Sequence, residues 1–467
     1  MYIKLSRVLL ALGLLGVAPL SSAEIQGVEG TPCGTDRVCF ALQAGSMPIT
    51  LGDGNSVEAW GYADVTRGTP VQYPGPTLII TQGQVVEITL SSSLPDNTSI
   101  VFPGQSGITT TGGTGLAAVM AAETDGSVPV TYTFTANNAG TYTYHSGSAP
   151  EMQVEMGLVG AMIIRPTSLS GVTDKRAYEG LGTAYDREYL FLLSEMDPNA
   201  HMDFEAGIPL SPARFDQRLW FINGRNGPDT MHRDGAPWMP HQPYGALAQM
   251  KPGERILLRI VNVGRDLHPF HHHGNNTWQI AKDGRVLESA PGVEALYPDY
   301  ADTHLNTDAA FGAGNTPIST TLPDQSRSNF TVQTAPGGTY DAIFTWSGYG
   351  MNWDIYGNRE GHAADDCDVL ALVDTEDPSS HCVDMQVVFP EQQALTFGGF
   401  WTGSPFLGSE EALPPDQGGL NPNGGFSFMW HSHTERELTN DDIFPGGMMT
   451  MMIIEKPDLA TTILADE

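Results

Sequence analysis

The sequence predicts an all-β protein made of two copies of one β-sandwich. Three observations predict it. Gly (53) and Pro (33) are abundant, and Thr, Val, Ile and Tyr recur in short runs with no long helical periodicity, the composition of many short strands and turns. Tyr132 and Phe134 alternate, Asn137-Asn138-Ala139-Gly140 reads as a turn, and Tyr142 and Tyr144 alternate again. That pattern predicts a hairpin with one buried face. Finally, the chain repeats itself. YHSGSAPEMQVEMGLVGAMIIRP (144–166) matches WHSHTERELTNDDIFPGGMMTMMIIEKP (430–457) in its aromatic, His-Ser, polar loop, Gly turn and Met-rich strand. TQGQVVEIT (81–89) likewise matches KPGERILLR (251–259). Each member of this second pair is followed by a motif ending in Gly, VFPG (101–104) and HHHG (271–274).

From the N-terminus, Lys4 and Arg7 precede the apolar run Val8 to Val17, and Ser21, Ser22 and Ala23 follow. This reads as a secretory signal peptide over residues 1–23. The apolar run is too short to span a bilayer, and no later segment is long enough, so an exported protein, periplasmic or extracellular, is expected. The first sandwich is expected over 24–168 and the second over 185–467. The second is interrupted at about 358–424 by a Gly/Pro-rich stretch; the alternative division is 185–357 with a reduced third domain at 358–467. Cys33, Cys39, Cys367 and Cys382 are an even set, which in an exported chain points to disulfides. Local pairing, Cys33 with Cys39 and Cys367 with Cys382, is the simplest of three connectivities. The formal charge of −32 argues against nucleic acid and anionic lipid as partners. No nucleotide-binding glycine loop or nucleophile elbow is present.

Function is carried by histidines. His271 and His273 lie in HPFHHHG (268–274), and His431 and His433 lie in WHSH (430–433). On a strand, residues i and i+2 share a face roughly 6.5–7 Å apart, which suits two adjacent ions better than one. Two such strands facing each other would present four imidazoles to a small cluster, and imidazole favours copper, zinc, iron or nickel. His272, between two candidate ligands, is expected on the opposite face. Met448, Met449, Met451 and Met452 are read as core packing.

These motifs resemble the cupredoxin-domain multicopper oxidases over nearly the whole mature chain. YPGPTL (73–78) and GQVVEITL (83–90) are similar to that family's first-domain opening. HPFHHHG resembles its HPxHLHG motif, and WHSH with PGGMM (445–449) resembles its HCHxxxHxxxGM motif. The resemblance implies tandem cupredoxin-like Greek-key β-sandwiches. It also implies copper, one to three ions, and a small-molecule or metal-ion substrate.

The departures are as informative. The family's first His-x-His falls at Val101 and Pro103, and its second at His145 and Gly147, so eight cluster histidines become five: His145, His271, His273, His431 and His433. By resemblance, His273 and His431 would hold one copper and His145 and His433 its neighbour, with His271 at a third position that has lost its partner. The mononuclear blue-copper set falls at His268, Ser432, Glu437 and Met448. A blue site depends on a copper–thiolate bond, which Ser432 cannot supply, so His268, Glu437 and Met448 are only weak candidates. The expected protein is a copper-dependent oxidoreductase with a reduced, histidine-only cluster. A copper-binding protein without turnover and a metal-free structural protein are the alternatives. The family also implies two assemblies, a homotrimer with His145 supplied by a neighbouring subunit and a monomer with the cluster within one chain.

Overall fold

A computed structural model describes residues 25–116, 121–167, 175–209, 214–250, 254–288, 322–345, 367–368, 373–374 and 426–454. It is an all-β chain of two successive sandwiches. In the first, one sheet is built on Arg37–Thr50, Val85–Ser92 and Val130–Thr135, and the facing sheet on Leu78–Thr81, Val159–Arg165 and Gly140–His145. In the second, Arg187–Met196, Arg255–Asn262, Thr339–Thr345 and Thr277–Lys282 form one sheet. Ala248–Met250, Met449–Ile454, Phe426–Ser432 and His268–His272 form the other.

The internal repeat is a repeat of pairings. Val85–Ser92 runs parallel to Arg37–Thr50, as Arg255–Asn262 does to Arg187–Met196. Gly140–His145 pairs antiparallel with Val159–Arg165, and Phe426–Ser432 with Met449–Ile454. Val101 bridges His145 in the first copy where His271 faces His431 in the second.

The hairpin expected around residues 137–140 does not form. Val130–Thr135 pairs with Val85–Leu90, while Gly140–His145 pairs with the opposite sheet, so the turn is an arch from one layer to the other. Val130–Thr135 keeps a strict alternation of burial, but Gly140–His145 is buried on both faces. Tyr142 and Tyr144 fill the sandwich interior, and Thr141 faces the second sandwich, where its hydroxyl bonds Asp341 at 2.6 Å. An aromatic/threonine alternation reads the same whether the second face meets water or another domain, and that ambiguity produced the wrong pairing.

The second copy uses the same arch. Thr339–Thr345 corresponds to Val130–Thr135 and Phe426–Ser432 to Gly140–His145 by their pairings. The four-residue connection 136–139 of the first copy therefore corresponds to 346–425 in the second. The interruption expected at 358–424 lies outside the described residues except for the short paired strands Cys367–Asp368 and Val373–Asp374.

Each sandwich has its own core. Phe40, Ile88, Phe102, Tyr132 and Phe134 pack in the first. Phe191, Phe270, Phe344, Trp430, Met448 and Met452 pack in the second. Each such fully buried side chain contributes about 1.5–3 kcal/mol. A third apolar cluster joins Ile49, Tyr73 and Val159 of the first sandwich to Met196, Leu219 and Phe221 of the second, so the two are packed rather than strung. Cys33 and Cys39 form a disulfide across the turn at Asp36, whose φ is 52°. Cys382, the expected partner of Cys367, lies outside the described residues. Among the described residues no helix is long and apolar enough to cross a membrane.

Candidate metal centre

Strand His268–His272 lies between Phe426–Ser432 and Thr331–Thr334, with His271 directly opposite His431 and Thr331. Pleating divides its side chains. Phe270 and His272 point into the second core, where the His272 ring packs edge-on against Phe270 and Trp430, each centroid 4.9 Å away. His271 and His273 leave by the other face and meet the histidines of WHSH. Ring centroids are 4.7 Å apart for His271 and His273, 4.9 Å for His271 and His433, and 5.1 Å for His273 and His431.

The donor atoms converge more tightly than the rings. One nitrogen each from His271, His273 and His431 lies within 4.8 Å of the other two. The Nε2 atoms of His273 and His431 are 3.1 Å apart. That spacing suits two donors about 2.0–2.1 Å from a shared ion at close to a right angle. Neighbours hold the rings and, for His431, fix which nitrogen is offered. His431 Nδ1 donates to the Ser432 carbonyl at 2.6 Å, which leaves the lone pair on Nε2. His271 Nδ1 bonds Thr331 Oγ1 at 2.8 Å, and its buried Nε2 has no hydrogen-bond partner among the described residues. A buried polar atom without a partner is costly, and an ion would satisfy it. Trp430 Nε1 donates to the His273 carbonyl at 3.1 Å and ties the two strands together.

Electrostatics keep the cluster neutral. Burial, followed by the neighbouring imidazoles, lowers the pKa of His271 to about 4 and that of His273 to about 3. Burial also lowers His431. Neutral imidazoles at neutral pH are the form that binds metal. The donor set therefore fits a borderline cation such as Cu(II). His433, at the exposed edge, packs 5.6 Å from the His431 ring.

The other expected residues are placed differently. His145 ends its strand with Nδ1 on the Ser146 carbonyl at 2.9 Å. It is not among the histidines grouped around His271, His273 and His431. His268 has both ring nitrogens engaged, Nε2 with Glu195 at 2.8 Å and Nδ1 with Glu437 at 3.0 Å, so it offers no lone pair. Ser432 and Met448, the other two residues of the set, are fully buried, and neither can supply a thiolate. The residues at this position do not fit a blue-copper ion. Sequence reasoning missed Glu195 and Thr331. Glu195 lies 73 residues before His268 in an ordinary strand, so no spacing announces it.

A multicopper oxidase family model matches residues 56–168. Laccase abr2 of Aspergillus fumigatus is 34% identical over 51% of this chain and 40% of its own length. Laccase-1 of Emericella nidulans is 32% identical over 29% of this chain and 24% of its own. Over residues 56–168 the chain is similar to multicopper oxidases. Its matches thus span less than half of those two laccases. Among solved structures, the blue copper oxidase from Nitrosomonas europaea aligns over 89% of this chain and 85% of its own, at 17% identity and a TM-score of 0.49. The family match falls on the first sandwich, and the imidazole cluster lies in the second.

Proposed function

We propose that this chain is an exported copper-dependent oxidoreductase that works from a histidine-only cluster and has no blue-copper centre. The observation that carries the reading is the convergence of His271, His273 and His431 as neutral imidazoles, with one buried nitrogen left unpartnered. His273 and His431 would share one ion, and His271 with the exposed His433 would hold a second beside it. Bound copper would supply one-electron redox chemistry. The protein's part is to hold the His431 lone pair on Nε2 through the Ser432 carbonyl, to orient the His271 ring through the Thr331 hydroxyl, and to keep those rings uncharged.

With no thiolate to relay electrons, the donor must reach the cluster itself, at its exposed His433 edge. Small phenols, cuprous ions and Mn²⁺ are the donors to test. The domain limits 24–168 and 185–467 belong to this reading, as does a ring of three subunits in which a neighbour's His145 completes the second ion's ligands. The engaged His268 favours a second reading, copper binding without turnover.

The test is to load the exported protein with copper, count the bound ions, and record optical and EPR spectra and the mass in solution. One or two coppers without an intense blue band are expected, with oxygen uptake when a donor is added. Bound copper without oxygen uptake leaves the binding reading, and no bound copper leaves a structural protein.

A further inference from the structure

The position where the family's mononuclear copper would sit is filled. His268 is buried, and its two ring nitrogens meet Glu195 Oε2 at 2.8 Å and Glu437 Oε2 at 3.0 Å, both carboxylates also buried. A neutral imidazole carries one N–H and cannot donate to two carboxylates. With both carboxylates ionised, only the imidazolium satisfies both contacts. The surroundings agree. Glu195 also accepts the backbone N–H groups of Arg265 and Asp266. The Arg265 guanidinium pairs with Glu155 at 2.9 Å, and Glu155 lies 3.7 Å from His201 Nε2. Tyr73, held by burial above its ordinary range, stays neutral. Glu195, Glu437 and Glu155 thus face His268, Arg265 and His201, three acidic side chains against three basic ones.

The carboxylates belong to different parts of the fold. Glu195 is near the end of strand Arg187–Met196, and Glu437 is in the 3₁₀ turn Glu435–Leu438 just after WHSH. Glu437 also reaches the strand ends around the cluster: Met448 N–H donates to its carbonyl at 2.7 Å, and Ser432 N–H to the Met448 carbonyl at 3.0 Å. We propose that a proton on His268 does here the cross-linking a metal ion would do, so that Glu195, His268 and Glu437 are positioning residues that clasp the segment bearing His431 and His433 to the body of the second sandwich. The clasp does not require copper at the histidine cluster.

Its sensitivity to pH has a definite sign. Burial opposes the charge on His268, but Glu195 and then Glu437 outweigh it and raise the pKa to about 9. A pKa raised on folding adds stability that is complete below the unfolded value of about 6.5 and disappears as pH rises to about 9. The unfolding constant should rise by up to about tenfold per pH unit across that window.

Three measurements on the copper-free full chain test this. The ring ¹⁵N shifts of His268 at pH 7.5 should show both nitrogens protonated. Amide protection at Ser432 and Met448 should fall as pH passes about 9. In the double variant Glu195→Gln/Glu437→Gln, a neutral imidazole can donate to one amide and accept from the other, so the shape survives. Urea unfolding of that variant should lose most of the pH dependence, with the remainder belonging to His201. An unprotonated His268 nitrogen at pH 7.5 overturns the proposal even if the variant does not fold. Unchanged protection across pH 9, or an equal pH step in the variant, overturns it too.

Discussion

Arg259→Met is expected to destabilise the folded chain by about 3–5 kcal/mol, the cost of stranding buried charges. Arg259 is fully buried where the sandwiches meet. Its Nε bonds Glu188 at 3.0 Å, and its Nη1 bonds Thr141 Oγ1 at 3.0 Å and lies 3.7 Å from Asp341. Thr141 comes from the first sandwich, and Glu188, Arg259 and Asp341 from the second. Glu188 keeps Arg165 as a partner, and Asp341 keeps Tyr178 and Thr141. Burial raises the Asp341 pKa, and Arg259 is the main group that opposes the rise. Without it, Asp341 meets a larger penalty for ionising, so the variant's deficit grows as pH rises through that ionisation. Urea unfolding of the variant measures the loss. Adding Glu188→Gln and Asp341→Asn to Arg259→Met should recover most of it, because no lone charge then remains buried. A loss below about 1 kcal/mol would mean that water or a side-chain shift already serves these carboxylates.

This network also shows what the sequence could and could not disclose. The repeat was legible because each copy must satisfy the same pairings. KPGERILLR predicted a strand like TQGQVVEIT, and both run parallel to an earlier strand. The meeting of His271, His273 and His431 was legible because a period of two and one pairing fix it. What failed depended on the far side of a strand. The residues around Asn137 read as a hairpin because nothing local says that Thr141 will meet the other sandwich or that Thr143 will be buried. Glu195 escaped for a related reason. A lone acidic residue near a strand end is common, and only folding reveals the imidazolium between it and Glu437. The bridge of His145 to Val101 is equivalent to that of His431 to His271, yet among the described residues the grouped histidines are those of the second copy.

His431→Ala should abolish tight copper binding, while Thr331→Val should weaken it about 10–100-fold with the cluster's own residues intact. His431 is the link between the pairs: its Nε2 faces His273 at 3.1 Å, and its ring packs 5.4 Å from His271. Loss of a direct ligand should exceed the 10–100-fold typical of an outer partner. Thr331 is such a partner. Its Oγ1 bonds His271 Nδ1 at 2.8 Å and so turns Nε2 toward the cluster. Valine keeps the branched shape but frees the ring to rotate or to change tautomer. Copper affinity by competition with a chelator, with unfolding of the copper-free proteins as control, separates binding from folding. Because the buried His271 Nε2 has no partner among the described residues, His271→Ala should cost the copper-free fold less than an ordinary buried truncation. If His431→Ala binds copper as tightly as the parent, the ion is held elsewhere, and the converged imidazoles are packing at a domain edge.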